Sequence, residues 1–119
     1  MTYAEKLRDP RWIEKRFAIF KRDDYKCRDC GSEEDLQVHH CYYRGNPWDV
    51  EDDLLLTLCE TCHATRQDFE DALRLEIGRL SSRLKASDVD RFRVRFKRLA
   101  FEFERNISAL IEKIYEEKP

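Results

Sequence analysis

Two short segments, 27-CRDC-30 and 59-CETCH-63, with 39-HH-40 between them, decide the fold. The two C-x-x-C pairs supply four thiols. Each two-residue spacer forms a turn that points both sulfurs of its pair inward, so four thiolates can surround one tetrahedral Zn²⁺. All three histidines of the chain lie beside these pairs, although a site with four thiolates has no use for them. The pattern therefore predicts a zinc-stabilised core that carries a second, histidine-based site. The fifth cysteine, Cys41, is interpreted as an ordinary thiol on a strand.

The composition indicates one helix-rich domain, or one domain with a helical extension. Of the 119 residues 40% are charged, and only 3 Gly and 3 Pro are present. No apolar run approaches the roughly 20 residues needed to span a membrane, and no signal peptide is visible. The cysteines favour a reducing compartment over a disulfide framework, so we expect a cytoplasmic protein. The formal charge of -2 argues neither for nor against nucleic acid.

The first part of the chain predicts a helix followed by a knuckle. Asp9 is the expected N-cap, Pro10 follows at the first helical position, and the helix should run to about residue 24. Its apolar stripe is expected at helical spacing on Ile13, Phe17 and Phe20, with Arg16 and other basic residues mostly on the opposite side. Residues 25–31 should then form the zinc knuckle.

The central part predicts a β-hairpin that leads into a helix. Residues 36–38 alternate like a strand that runs into His39 and His40, and a second strand is expected over 54–58. Residues 59–63 should begin a helix. A knuckle, a hairpin and a helix that share one zinc describe a treble-clef zinc finger. The predicted fold class is α+β, mostly helical: a treble-clef core with an N-terminal helix and a C-terminal helical hairpin.

The C-terminal part predicts two helices with one apolar stripe each. The first stripe runs from Phe69 to Leu84 and the second from Phe92 to Ile114, with a break at residues 81–86. Ser87 and Asp90 predict a capping box at the start of the second helix.

The second stripe is longer than the first, so its end should need another cover. A second copy of the chain is the favoured cover, because two such ends related by a two-fold axis would bury each other. The N-terminal helix, through Trp12, Phe17 and Phe20, is the alternative.

The first half of the chain resembles an HNH endonuclease of the phage and bacterial type, whose core is called ββα-metal. Several distinct motifs carry the resemblance in the right order: 9-DPRW-12, 22-RDDYKC-27, 38-VHHCYY-43, 47-PW-48 and 56-LTLCETCH-63. The resemblance covers about half the chain and ends near residue 70. It implies an HNH nuclease domain with structural zinc over residues 1–68. Residues 69–119 would then be a helical hairpin that packs on this domain or on a partner.

The resemblance also implies roles for the three histidines in hydrolysis of a DNA phosphodiester. His40 would be the general base that activates water, which suits a near-neutral pKa. His39 and His63 would bind a catalytic divalent metal such as Mg²⁺, Mn²⁺ or Ni²⁺, in addition to structural Zn²⁺ on Cys27, Cys30, Cys59 and Cys62. Imidazole ligands favour Mn²⁺ or Ni²⁺ over Mg²⁺.

Two positions depart from the family pattern. Leu54 stands near the place of the family's middle asparagine, although Asn46 or Asp53 can substitute. Gln67 stands where related sequences often have another metal-binding histidine. A catalytically degenerate zinc module that binds nucleic acid or protein therefore remains the alternative function.

The sequence leaves the DNA contacts open. Arg44 and Arg66 lie near the predicted site, where they either contact phosphates or are ordinary surface arginines. DNA is the expected partner, and the C-terminal helices provide a possible surface for a homodimer or a partner protein.

Overall fold

The computed structural model describes residues 1–116, except for the side chains at positions 110, 111 and 113–115. The protein is α+β and mostly helical, and its chain divides into two compact units, residues 1–72 and residues 73–119. None of the helices in the described part combines the length and apolar character needed to cross a membrane. The secondary structure elements are α1 (Tyr3–Leu7), α2 (Pro10–Arg22), β1 (Leu36–His40), β2 (Leu55–Cys59), α3 (Glu60–Ser81) and α4 (Ala86–Glu116).

Helix α2 begins as the sequence predicts, because the Asp9 carboxylate accepts the Arg11 N–H at 2.9 Å and Pro10 follows the cap. Its buried face agrees with the predicted stripe only at Phe20. Ile13 and Phe17 are exposed, and the predicted stripe is wrong for both. The buried side chains are Trp12, Ile19 and Phe20.

The physical reason lies in the geometry of the helix. Trp12 and Ile19 are seven residues apart, or two turns, so they share one face, and Arg16 lies between them on that face. Arg16 is half-buried there, whereas the sequence placed it on the polar side. Packing against the hairpin therefore decides that the face of α2 with Trp12 turns inward.

Strands β1 and β2 form a two-stranded antiparallel sheet in which His39 lies opposite Leu56 and His40 opposite Leu55. Strand β2 begins one residue later than predicted, because Leu54 is still part of a short 3₁₀ turn. The N–H of Cys41 donates to the Leu54 carbonyl at 2.8 Å, which extends the hairpin contacts by one pair.

The end of α2 is tied to β2 by polar contacts with the backbone. Arg22 donates to the carbonyls of Asp52 and Leu55, both at 2.6 Å. The Asp23 carboxylate accepts the Thr57 N–H at 3.0 Å. The core of this unit lies between α2 and the hairpin and contains Trp12, Ile19, Phe20, Val38, Val50 and Leu55.

Helices α3 and α4 are separated at the predicted break, between Ser81 and Ala86. The predicted capping box is wrong. The Lys85 carbonyl accepts the N–H groups of Asp88 and Val89, so Ser87 already lies inside the helix.

The apolar stripes of the second unit are largely exposed. The exposed fractions of Phe96, Leu99 and Phe103 are 55%, 64% and 63%. Around the turn, apolar side chains of α3 and α4 line a small open cavity of about 30 Å³, among them Ile77, Leu80, Leu84, Val89 and Phe92. The end of the predicted stripe, Ile114, lies outside the described side chains.

Candidate metal centre and active site

Four cysteines from two parts of the chain meet at one point. One sulfur each from Cys27, Cys30, Cys59 and Cys62 lies within 4.8 Å of the others, and all four thiols are free. The Sγ atoms of Cys30 and Cys59 are 3.6 Å apart. A tetrahedral zinc with Zn–S bonds of about 2.3 Å requires sulfurs about 3.8 Å apart. The tetrad can therefore hold a metal ion such as Zn²⁺ with only small adjustment.

The first pair of thiols is positioned by a tight backbone turn. The N–H of Gly31 donates to the Cys27 carbonyl at 2.9 Å, and Gly31 has a φ of +79°, which glycine adopts without strain. The N–H of Arg28 donates to the Thr57 carbonyl at 2.9 Å. This last bond fastens the knuckle to β2, whose last residue supplies the third thiol.

The thiols do not ionise alike. Burial opposes ionisation of Cys27, but hydrogen bonds from the backbone at Cys59, Cys30 and Asp29 lower its pKa to about 6. Hydrogen bonding to Cys59 raises the pKa of Cys62 to about 12. Four thiolates so close together need a compensating cation, and a divalent metal supplies that charge. The donor set therefore fits zinc.

The two adjacent histidines point to opposite sides of the hairpin, as strand geometry requires. His39 is fully buried, and its ring lies edge-on to that of His63 with centroids 5.2 Å apart. Its Nε2 atom is 2.8 Å from Glu70 Oε2. Its Nδ1 atom is buried and has no hydrogen-bond partner among the described residues.

His63 lies in the first turn of α3, where the sequence placed it. Its Nδ1 atom is 2.6 Å from the Gln37 side-chain oxygen. An amide oxygen only accepts, so Nδ1 bears the proton and Nε2 bears the lone pair. Burial lowers the pKa of His63, and nearby His39 lowers it further while Glu70 opposes the shift. The imidazole is thus neutral near pH 7, as a metal ligand must be.

His40 lies on the other side, with its ring between those of Trp12 and Tyr43, at centroid distances of 5.0 and 4.7 Å. Its Nε2 atom is 3.2 Å from the Pro47 carbonyl oxygen. Burial lowers the pKa of His40, although the Pro47 carbonyl raises it. The carbonyl must accept, so Nε2 carries the proton and Nδ1 carries the lone pair of the neutral ring.

One open cavity of about 240 Å³ joins two of the three histidines, since His40 and His63 both line it. Gln37, Tyr43 and Arg16 are also part of its wall. The Nε atom of Arg16 is buried without a hydrogen-bond partner among the described residues. A cation with an unused donor at this wall suits a bound anion.

The two arginines that the sequence proposed for DNA contact are engaged with carboxylates. Arg44 pairs with Glu51 at 3.1 Å, and Arg66 pairs with Asp29 through two hydrogen bonds of 2.6 and 3.1 Å. The ion pair with Asp29 raises the pKa of Arg66. Phosphate contact by either arginine would require it to leave or share its carboxylate.

The structure adds Glu70, Cys41 and Arg16 to the residues around the histidines. Glu70 lies seven residues after His63, two turns along the same face of α3, and this spacing could have revealed it. Gln67 instead donates to the Asp71 carboxylate at 3.0 Å.

The chain matches no described protein family, no curated protein and no solved structure.

Proposed function

We propose that the chain is a metal-dependent HNH endonuclease that hydrolyses phosphodiester bonds of DNA. The observation that carries the proposal is that His40 and His63 line one open cavity, and His63 directly follows Cys62 of the cysteine tetrad. These side chains are far apart in sequence, and their types match those needed for a general base and a metal ligand.

The proposed core is a treble-clef zinc finger of the ββα-metal type. The knuckle, the hairpin and the first turn of α3 each contribute to the cysteine tetrad, which supports this interpretation. Four thiolates leave no coordination position for water or substrate, so this zinc is structural. It would stabilise the folded unit by about 10 kcal/mol.

His40 is the proposed general base. Because Nε2 donates to the Pro47 carbonyl, Nδ1 is free to accept a proton from water. The water oxygen then bonds to phosphorus, the bond from phosphorus to the leaving oxygen breaks, and that oxygen takes a proton from solvent. The stacking of Trp12 and Tyr43 holds the ring in place for this transfer.

His39 and His63 are the proposed ligands of the catalytic divalent metal. Gln37 orients His63 so that its Nε2 lone pair is available for a metal, as carbonyl and carboxylate groups commonly do for ligand histidines. When bound, a divalent metal supplies charge for the phosphoryl and leaving oxygens. Arg16 is placed at the wall of the same cavity, where its guanidinium can hold a phosphate.

The role of the family's middle asparagine would fall to the backbone. The Leu54 carbonyl accepts the N–H of Cys41, directly after His40, and so holds the end of β1. Asn46, one of the two proposed substitutes, instead begins the 3₁₀ turn that contains Pro47. That turn presents the carbonyl that orients His40.

A zinc-stabilised binding module without catalysis is the second candidate. Two observations favour it: His40 is only 3% exposed, and Arg44 and Arg66 are both paired with carboxylates. Such a module would bind nucleic acid or protein through the same fold.

Cleavage of supercoiled plasmid tests the proposal. Mn²⁺ or Ni²⁺ should support faster cleavage than Mg²⁺ at equal concentration, because the proposed ligands are imidazoles. His40→Ala should lower the rate by about 100-fold or more, as loss of a general base does. Tyr42→Ala removes an exposed aromatic ring from the same segment and should leave the rate unchanged.

Zinc content and near-ultraviolet circular dichroism would establish that each variant is folded. Full activity of folded His40→Ala would assign the base to another residue. Wild-type protein that binds DNA without cutting it in any of the three metals would favour the binding module.

A further inference from the structure

A second group of metal-binding side chains surrounds His39. One ligand atom each from His39, Cys41 and Glu70 lies within 4.8 Å of the others. Within the part of the chain that the structure describes, this triad and the cysteine tetrad are the groups that come so close. We propose that His39, Cys41 and Glu70 bind a divalent cation of the Zn²⁺ or Co²⁺ type and leave one coordination position open.

The topology of the hairpin explains why these residues meet. Alternate residues of an extended strand share a side, so Cys41 is expected on the same side as His39. The hydrogen bond from Cys41 to Leu54 continues the hairpin by one residue and keeps this segment extended. Glu70 comes from α3, two turns after His63. The triad therefore combines two residues of the hairpin segment, His39 and Cys41, with one residue of α3, Glu70.

The position of His39 suits a ligand of the triad. Its side chain is fully buried, and its Nε2 atom lies 2.8 Å from Glu70 Oε2. A neutral imidazole has one ring nitrogen with a lone pair, and Nε2 can offer that lone pair to a cation that replaces the proton shared with Glu70.

The donor set selects the class of cation. Nitrogen, thiolate sulfur and carboxylate oxygen together suit Zn²⁺ and Co²⁺, whereas Mg²⁺ prefers an octahedron of oxygens. One thiolate and one carboxylate balance the two positive charges. Three protein ligands with an open fourth position are typical of catalytic zinc sites.

The open position has a route to solvent. Glu70 lines a second cavity of about 440 Å³ together with Asp29, Cys62, Thr65, Arg66 and Phe69. The Glu70 carboxylate is itself 22% exposed, so a water or a substrate oxygen can approach from this side.

This inference revises one part of the proposed function, on which its catalytic meaning rests, because His39 would share the second metal with Cys41 and Glu70 and not with His63. The nuclease interpretation pairs His39 with His63, while the triad pairs His39 with a thiolate and a carboxylate. Binding of the metal can be measured without DNA, so a failed cleavage assay would leave this inference standing.

Spectroscopic titration with Co²⁺ tests the triad. Full-length protein with zinc in the tetrad is titrated with Co²⁺, which reports thiolate ligation by a charge-transfer band in the near ultraviolet. We expect one Co²⁺ per chain with such a band. Cys41→Ser should abolish the band, and Glu70→Gln should weaken Co²⁺ binding about tenfold or more. Glu76→Gln, an exposed carboxylate on the same helix, is the matched control and should change nothing.

X-ray absorption spectroscopy at the cobalt edge can be measured on the wild-type protein, so it does not depend on whether a variant folds. We expect one sulfur atom among the ligands of Co²⁺. No Co²⁺ binding beyond the tetrad would overturn the proposal. Bound Co²⁺ without a sulfur ligand, lost in His63→Ala and retained in Glu70→Gln, would also overturn it and favour the pair of histidines.

Discussion

The two units of this chain are both amphipathic, but they bury very different amounts of apolar surface. Every buried side chain that the structure describes lies in residues 1–72, including Trp12, Ile19 and Leu55. From Leu73 onward no described side chain is buried, although both helices carry regular apolar stripes. The hydrophobic pattern thus predicts an apolar face, but contacts with elements distant in the chain, such as those between α2 and the hairpin, are needed to bury it.

Loss of zinc should have the largest effect on stability, and this effect should be confined to the first unit. Cys59→Ala removes a thiolate from the tetrad and, with it, about 10 kcal/mol of stabilisation. We expect residues 1–72 to unfold while α4 keeps its helical signal. Two-dimensional NMR would measure the folding of each unit, and elemental analysis would measure the zinc content. Cys41→Ser is the matched control, because its sulfur is outside the tetrad, and should retain one structural zinc. Folded zinc-free protein would refute the comparison.

The second largest effect is expected from truncating an aromatic side chain, which should destabilise the first unit much more than the second. Trp12 packs in the core and on the His40 ring, so Trp12→Ala should lower the free energy of unfolding by about 3–5 kcal/mol. Phe101 is exposed on α4, and Phe101→Ala should change the free energy by no more than about 0.5 kcal/mol. Urea unfolding monitored in the first unit measures both. Equal losses would show that the second unit shares the core.

A smaller effect is expected at Asp23, which links α2, the knuckle and β2. Its carboxylate accepts hydrogen bonds from Arg22 and the Thr57 N–H, and its side chain is only 3% exposed. Burial opposes the charge, but the hydrogen bonds with Arg22 and Thr57 lower its pKa to about 2. Asp23→Asn should therefore cost about 1–3 kcal/mol at pH 7.

The pH dependence of this cost follows from the sign of the shift. A carboxyl with a lowered pKa contributes fully above its unfolded pKa of about 4 and loses its contribution as pH falls toward 2. The difference between wild type and Asp23→Asn should be constant from pH 7 to 5 and should shrink below pH 4. Urea unfolding measures this difference at each pH at which elemental analysis shows that the tetrad still holds zinc, with exposed Asp53→Asn as the control. A difference independent of pH would contradict the role of the charge.

The sequence predicted the elements that depend on local chemistry. The cap at Asp9 and the position of His63 in the first turn of α3 follow from short-range spacing, and the convergence of four cysteines follows from the number of thiolates that one zinc ion binds. The buried face of α2 was not predictable from periodicity alone, since Trp12 and Phe17 both lie on apolar stripes and only the hairpin decides between them. Glu70 was missed for the same reason, because its partner His39 lies on another element.

The capping box failed for a different reason. Ser87 and Asp90 have the right types and spacing, but a helix capped by Ser87 would begin at Asp88, whereas α4 begins two residues earlier, at Ala86. The ion pairs of the two arginines could not be predicted from the sequence either. Arg44 pairs with Glu51, seven residues away, and Arg66 pairs with Asp29, which is distant in the chain.

The smallest effect on the stability of the first unit is expected from the exposed stripe of α4, which we predict to be a surface for self-association. Trp12 and Phe20, two of the three residues named for the alternative cover, are buried in the core of the first unit. Phe96, Leu99 and Phe103 lie at successive turns of α4, and burying each is worth about 1.5–3 kcal/mol. Leu99→Glu would place a charge in such an interface, so it should convert a dimer to a monomer in sedimentation while leaving the unfolding of residues 1–72 unchanged. Arg98→Glu, the neighbouring change of charge, should have a weaker effect on association. A wild-type monomer at high micromolar concentration would reject the dimer and leave another protein as the cover of the stripe.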